Sequence, residues 1–222
     1  MTSILDVIRA GTVPYKDALA WQRELATARI AGQLDRDTLL LVEHPPVLTR
    51  GRAAEAADVL HADGIDVVDV ERGGAVTFHG PGQLVGYPIL DLTRHRRDLH
   101  WYLRALERVL IEALHPLGLC AARRPGYTGV WMDDRKIASV GVHVRQWVTW
   151  HGFALNVTTN LDEFARIVPC GIAGVEMTSV VRELGTSRAG SDLGEQVATG
   201  VVAAFENVFG LVAHDRVPIG PP

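Results

Sequence analysis

Residues 129–157 read GVWMDDRKIASVGVHVRQWVTWHGFALNV. Three runs rich in β-branched and aromatic residues, Gly129–Met132, Lys136–Val144 and Val148–Val157, follow one another with a turn at Asp133-Asp134 after the first. That pattern predicts a small antiparallel meander. Working outward, further strands are predicted near Leu5–Arg9 and over Thr38–Glu43, Asp66–Val70, Ala75–His79 and Leu84–Leu90. The short apolar strand Thr38–Glu43 stops at His44-Pro45-Pro46, because proline cannot donate to a ladder. Helices are predicted over Pro14–Ile30, Asp98–Leu117 and Ser191–Phe209. In the second, Leu99, Leu103, Leu106, Leu110, Leu114 and Leu117 repeat at a three-and-four spacing, with Gly118 placed to end it. Strands therefore come in clusters with helices between the clusters. This argues for an α+β arrangement, a mixed β-sheet flanked by helices, and against a doubly wound nucleotide fold. With no internal repeat or linker, residues 1–222 read as one domain with a loose tail from about Val217.

The chain has 222 residues, 47% of them hydrophobic, and a formal net charge of −4. That is enough for a sizeable core, and the mild acidity argues against a nucleic-acid partner. Two cysteines, Cys120 and Cys170, are too few for a disulfide framework and point to a reducing compartment. No signal peptide and no membrane-spanning run is read, so the expectation is a cytoplasmic enzyme. No Cys/His cluster has zinc spacing, so no metal is expected.

Of the 22 basic residues only Lys16 and Lys136 are lysine. Arginine stays protonated in proteins, whereas lysine can lose its proton when desolvated. On strict strand alternation Lys136 falls in line with Ala138, Val140, Val142 and Val144. It reads either as a base at the head of an apolar row or as a strand-end lysine reaching water.

Three further segments are too oddly composed to be plain connections. Arg72–Gln83, RGGAVTFHGPGQ, has five glycines or prolines in twelve residues, a backbone that lets a ligand approach closely. His151–Val157, HGFALNV, sets a His-Gly pair ahead of an apolar strand, where a half-exposed histidine is the ordinary reading. In Ile167–Ile172, IVPCGI, proline and glycine flank Cys170, so a bend presents its sulfur; Cys120 reads as a core filler. A nucleophilic thiol needs a basic neighbour, and His44, His79, His151 and Lys136 are all candidates.

These segments together resemble a known family. The runs RGGAVTFHGPGQLVGYP (72–88), KIASVGV (136–142), HGFALN (151–156) and VPCGI (168–172) are similar, in the same order, to the lipoyl (octanoyl) transferases. Glu43–Pro46, Thr49–Arg52 and Met177–Ser179 fit as well, so the resemblance covers roughly residues 5–185. It implies the catalytic fold shared with biotin and lipoate protein ligases. It also implies transfer of an octanoyl group from octanoyl-acyl carrier protein to a lysine of lipoyl domains, those of 2-oxoacid dehydrogenase E2 subunits and the glycine cleavage H protein. The family's nucleophile falls on Cys170 and its lysine partner on Lys136. Substrate contacts fall on Arg72, Gly73, Gly74, Ala75, Val76, Thr77, Phe78 and His79, on Ser139, Val140 and Gly141, and on Gly152, Phe153 and Ala154. Ser139 stands where the family more often has alanine, a nearly isosteric change. A thioester donor carries its own activation, so no cofactor is expected, and a monomer is. Arginines 94, 96 and 97, or 123 and 124, are candidates to meet an acidic carrier protein. The competing readings are an ATP-dependent lipoate or biotin ligase, which needs no nucleophilic cysteine, and a non-catalytic module that holds a carrier or lipoyl domain.

Overall fold

The computed structural model describes residues 3–169, 174–185, 190 and 192–217. Among these, eight strands form one mixed sheet and three form a second, smaller one. In the main sheet β1 (Ser3–Thr12) lies parallel to β2 (Asp37–Glu43) and to β11 (Leu211–Asp215). Antiparallel pairs then run from β2 to β6 (Gln83–Ile89), from β6 to β9 (Val148–Asn156), and from β9 to β8 (Arg135–Arg145). The expected meander is present, with β7 (Val130–Met132) pairing antiparallel to β8. Its second turn carries Gln146 and Trp147 at positive φ, 50° and 65°. Two such residues give a turn whose twist matches that of the strands it joins. The smaller sheet has the order β4 (Asp66–Asp69), β3 (Val47–Arg50), β5 (Val76–His79).

The two faces of the main sheet are covered differently. On one lie α2 (Leu99–Leu114) and α4 (Leu193–Phe209), which share a core with Leu5, Leu39, Leu41, Phe153 and Leu155. On the other lies α1 (Tyr15–Ile30), whose Ala18, Trp21 and Ala26 pack on Leu40, Val42, Val85, Ile89 and Trp150. Asp98 caps α2 by accepting from the Trp101 N–H at 3.0 Å, satisfying one of the open N-terminal donors. The chain leaves through Gly118 in the left-handed region, φ 80°.

Several expectations need correction. The buried face of α2 is Tyr102, Ala105, Leu106, Val109, Leu110, Ala113 and Leu114; Leu99, in its first turn, is exposed. Cys120 is also exposed. After Gly118 the chain is no longer helical, so Leu119 points into the core and its neighbour points out. Strand β3 begins directly after Pro46, the prolines ending β2 and passing the chain to the second sheet. Strand β11 and α3 (Val180–Leu184) were not anticipated. Of the expected tail, residues 218–222 lie outside the described residues.

Candidate active site

Between α1, the smaller sheet and the β8–β9 strands lies a cavity of about 250 Å³, close to the lower bound of roughly 300 Å³ usual for small-molecule sites. Its wall contains Arg72, Gly73, Gly74, Ala75, Val76, Thr77 and His79 from the glycine-rich segment, Lys136, Ser139, Val140 and Gly141 from β8, and Gly152, Phe153 and Ala154 from β9. Phe78 is the member of the expected set that lies elsewhere. It packs edge-on against Phe164, 5.6 Å between centroids, in the core beneath the smaller sheet. The sequence reading omitted Tyr15, Val85, Tyr87, Gly126, Tyr127 and Thr128, which also line the cavity. Their only signal was proximity to glycine or to a strand motif.

Lys136 reaches this wall by a break in strand alternation. Trp131 pairs with Lys136, but Val130 pairs with Ala138, so β8 carries one extra residue at Ile137. Such a bulge turns the side chain on one side of it to the other face. Ile137 and Ala138 both enter the α2–α4 core, while Lys136 joins Ser139 and Gly141 at the cavity. The row expected from strict alternation, Lys136 with Ala138, Val140, Val142 and Val144, is therefore not formed. The Lys136 side chain is buried, 2% exposed, with Nζ 5.5 Å from the centre of the Trp131 ring. Gly129, at φ 126°, leaves room for it: a Cβ there would stand 2.6 Å from Lys136 Cε. The Gly129 N–H donates to Glu107 Oε1 at 2.9 Å, a buried carboxylate on α2 whose other oxygen meets Arg104 and Arg123.

Cys170 lies outside the described residues. Its flanks are described: Val168 N–H donates to the Asp58 carbonyl, and β10 (Glu176–Met177) runs parallel to Arg135–Lys136. Lys136 is thus held between Trp131 and Met177. Asn156, at the end of HGFALN, donates to the Thr178 carbonyl at 3.0 Å and accepts from Gln83 Nε2 at 2.9 Å.

The glycine-rich segment is fastened from below. The Arg72 guanidinium donates to the carbonyls of Gly73, Ala75 and Thr49 and to the Thr49 hydroxyl, at 2.8–3.0 Å. Close approach explains the glycines: a Cβ on Gly141 would stand 2.9 Å from the Gly73 carbonyl oxygen, and one on Gly152 2.1 Å from that of Gly86. Three histidines sit around the inner end, and burial lowers the pKa of each. His44 is pushed down to about 4. Its Nδ1–H donates to the Val13 carbonyl at 2.6 Å, so Nε2 accepts from the Tyr87 hydroxyl at 2.7 Å. Gln83 Oε1 faces His79 Nδ1 at 2.8 Å, which assigns the proton to Nδ1. His151, expected as a half-exposed strand-edge residue, is 1% exposed.

Comparisons with known proteins identify the family and the fold. The lipoyl protein ligase A/B catalytic domain family matches residues 14–204. An octanoyltransferase of Gloeobacter violaceus is 53% identical over 206 residues, covering 92% of this chain and 90% of that protein. One from a Nostoc species is 47% identical over 209 residues, covering 92% of each. Among solved structures, lipoate-protein ligase A bound with ATP superposes with a TM-score of 0.77 at 17% identity, covering 100% of this chain and 91% of that one. A biotin protein ligase from Aquifex aeolicus gives 0.51 at 13%, covering 95% and 70%. These two share the fold, as expected from the sequence.

Proposed function

As the chain belongs to the lipoyl protein ligase A/B catalytic family, and within it to the octanoyltransferases, we propose that it moves an octanoyl group from octanoyl-acyl carrier protein to a lipoyl-domain lysine through a thioester on Cys170. The Cys170 thiolate attacks the donor thioester carbonyl, and collapse of the tetrahedral intermediate expels the carrier's thiolate, which takes a proton. The acceptor lysine arrives as an ammonium and must lose a proton to attack the acyl-enzyme. Lys136, as the neutral amine, accepts that proton; the second collapse releases the Cys170 sulfur and leaves an amide.

The observation that carries this reading is the burial of Lys136 in the cavity wall. In a chain that writes arginine for almost every positive charge, a lysine is bulged out of register and given a glycine-lined slot. An arginine there keeps the charge but cannot act as a proton acceptor. Lys136→Arg is therefore expected to lower the octanoyl transfer rate by ~10²–10⁴, the usual contribution of general acid–base assistance. Transfer by that variant at the wild-type rate would overturn the assignment. The arginines near the cavity also support one docking face over another. Arg124 stacks 5.3 Å from the centre of the Tyr127 ring, beside the lining residues 126–128. Residues 94–97 follow Asp91, which bridges to Val148 at the opposite end of β9. We accordingly propose Arg124 as the side on which the carrier protein docks.

A further inference from the structure

His151 is built into the cavity wall in a way that octanoyl transfer at Cys170 and Lys136 does not require. It lies inside β9, yet its φ is 56°. Left-handed backbone within a strand is uncommon for a residue other than glycine and is a sign of function when observed. The effect on direction is plain from its neighbours. Phe153 and Leu155 face the α2–α4 core, and Trp150 and Ala154 face α1. Simple alternation sends His151 to the α2–α4 side, but its Nε2 stands 3.8 Å from Glu71, the carboxylate held by Arg23 of α1. Its backbone N–H, turned by the same kink, is taken by Gln22 Oε1 on α1 at 2.9 Å.

The imidazole is buried, and neither Nδ1 nor Nε2 has a hydrogen-bond partner among the described residues. The Glu71 carboxylate stands 3.8 Å from Nε2, too far for a hydrogen bond. Both nitrogens are shielded from solvent, and the Glu71 carboxylate is the charged group nearest the ring. The position along the cavity matters as well. His151 pairs with Val142, six residues beyond Lys136 on β8, one of them in the bulge. At about 3.3 Å per residue this is roughly 17 Å. An extended octanoyl chain, with C–C bonds of about 1.5 Å, spans roughly 10 Å. The rest is taken up by the thioester and the side chains that hold it. A chain that starts beside Lys136 and runs along β8 has its methyl end toward His151, in a cavity that the buried Tyr15, Val85 and Tyr87 also line.

We propose that His151 is the specificity-determining end wall of the acyl cavity, a polar stop that admits a medium-length acyl chain and excludes longer ones. An eight-carbon chain ends short of the imidazole. A ten- or twelve-carbon chain must push the buried ring out of its seat beside the Glu71 carboxylate. This inference rests on the octanoyl-transfer reading and goes beyond it by naming what sets the length.

The test is the ratio of kcat/KM for dodecanoyl- to octanoyl-carrier protein in the wild type, His151→Gly and His151→Asn. Both replacements accept a left-handed backbone, so both are expected to fold, as a thermal melt checks. His151→Gly removes the wall and its polarity, and the ratio is expected to rise by ~10-fold or more, the scale on which an apolar pocket discriminates chain length. His151→Asn keeps a polar stop set further back and is expected to give a smaller rise. A ratio unchanged in the folded His151→Gly variant overturns the inference, as does an equal loss with every chain length. A wild type that transfers no octanoyl group would instead overturn the functional reading on which it rests.

Discussion

The two faces of the main sheet make opposite use of the same strands. The α2–α4 face is a leucine-rich core: Leu106, Leu110 and Leu114 share it with Leu5, Leu39, Leu41 and Leu155. The α1 face is irregular at the two side chains on which the site reading turns. Lys136 arrives through a bulge at Ile137 and His151 through a left-handed residue, and the glycines there sit against backbone oxygen. One face holds the fold, and the other gives up regular pairing to aim side chains into a cavity. Backbone irregularity next to a site is a common way to re-aim a residue.

The largest effect expected from this division is on stability. Leu110→Ala, on the regular face, should cost ~2–5 kcal/mol of unfolding free energy, read from a urea titration, and leave kcat/KM per folded molecule unchanged. A large loss of kcat/KM would blur the comparison. Gly129→Ala strikes the other face. Its Cβ collides with Lys136 Cε and, at 2.6 Å, with the Ala138 carbonyl oxygen. Displacement of about 1 Å at a reacting group costs ~10²-fold, about 2.7 kcal/mol, so transfer by the folded variant should fall by that factor.

The buried histidines sharpen the contrast through pH. The His44 imidazole has pKa 6.5 when exposed and about 4 in the folded chain, because burial disfavours its charged form. Above pH 6.5 neither state binds the proton. As pH falls below 6.5 the unfolded chain takes a proton that the folded one refuses, and stability is lost until about pH 4. The loss approaches ~3 kcal/mol in full and ~2 kcal/mol at pH 5. The urea midpoint should drop between pH 7 and 5, and His44→Gln should flatten that drop. The smallest effect is at the rim. Arg124→Glu should raise KM for the carrier protein ~5-fold at low salt, with the difference fading as salt is added. Arg97→Glu, at the other end of the sheet, should leave it within ~2-fold.

How much was legible in the sequence follows the same division. The leucine spacing of α2 and the Gly118 stop are local signals, and the helix forms where they predict. The meander was equally plain, since its turns and β-branched runs are contiguous. What alternation alone misreads is the direction of Lys136 and His151: one extra residue shifts every facing assignment beyond it, and one positive φ re-aims a single side chain. Strand β11 pairs with β1 across more than two hundred residues, and no local pattern announces such a partner. Glu107 sits on the buried side of a leucine helix and makes sense only beside Gly129, Arg104 and Arg123. Cys120 was read as core because cysteine is small and apolar, and the end of the helix at Gly118 put it outside. The glycine-rich segment was recognised by composition, but Phe78 within it obeys strand alternation and faces the opposite side.

The account's central claim is that the irregular face works through an acyl group held on Cys170. Intact-protein mass spectrometry after mixing with octanoyl-carrier protein tests it most directly. The account predicts one octanoyl unit on the chain, removed by hydroxylamine, mapped to Cys170 and missing from Cys170→Ser. An adduct that survives in Cys170→Ser or maps to the exposed Cys120, or continued transfer by Cys170→Ser with no adduct formed, would contradict it.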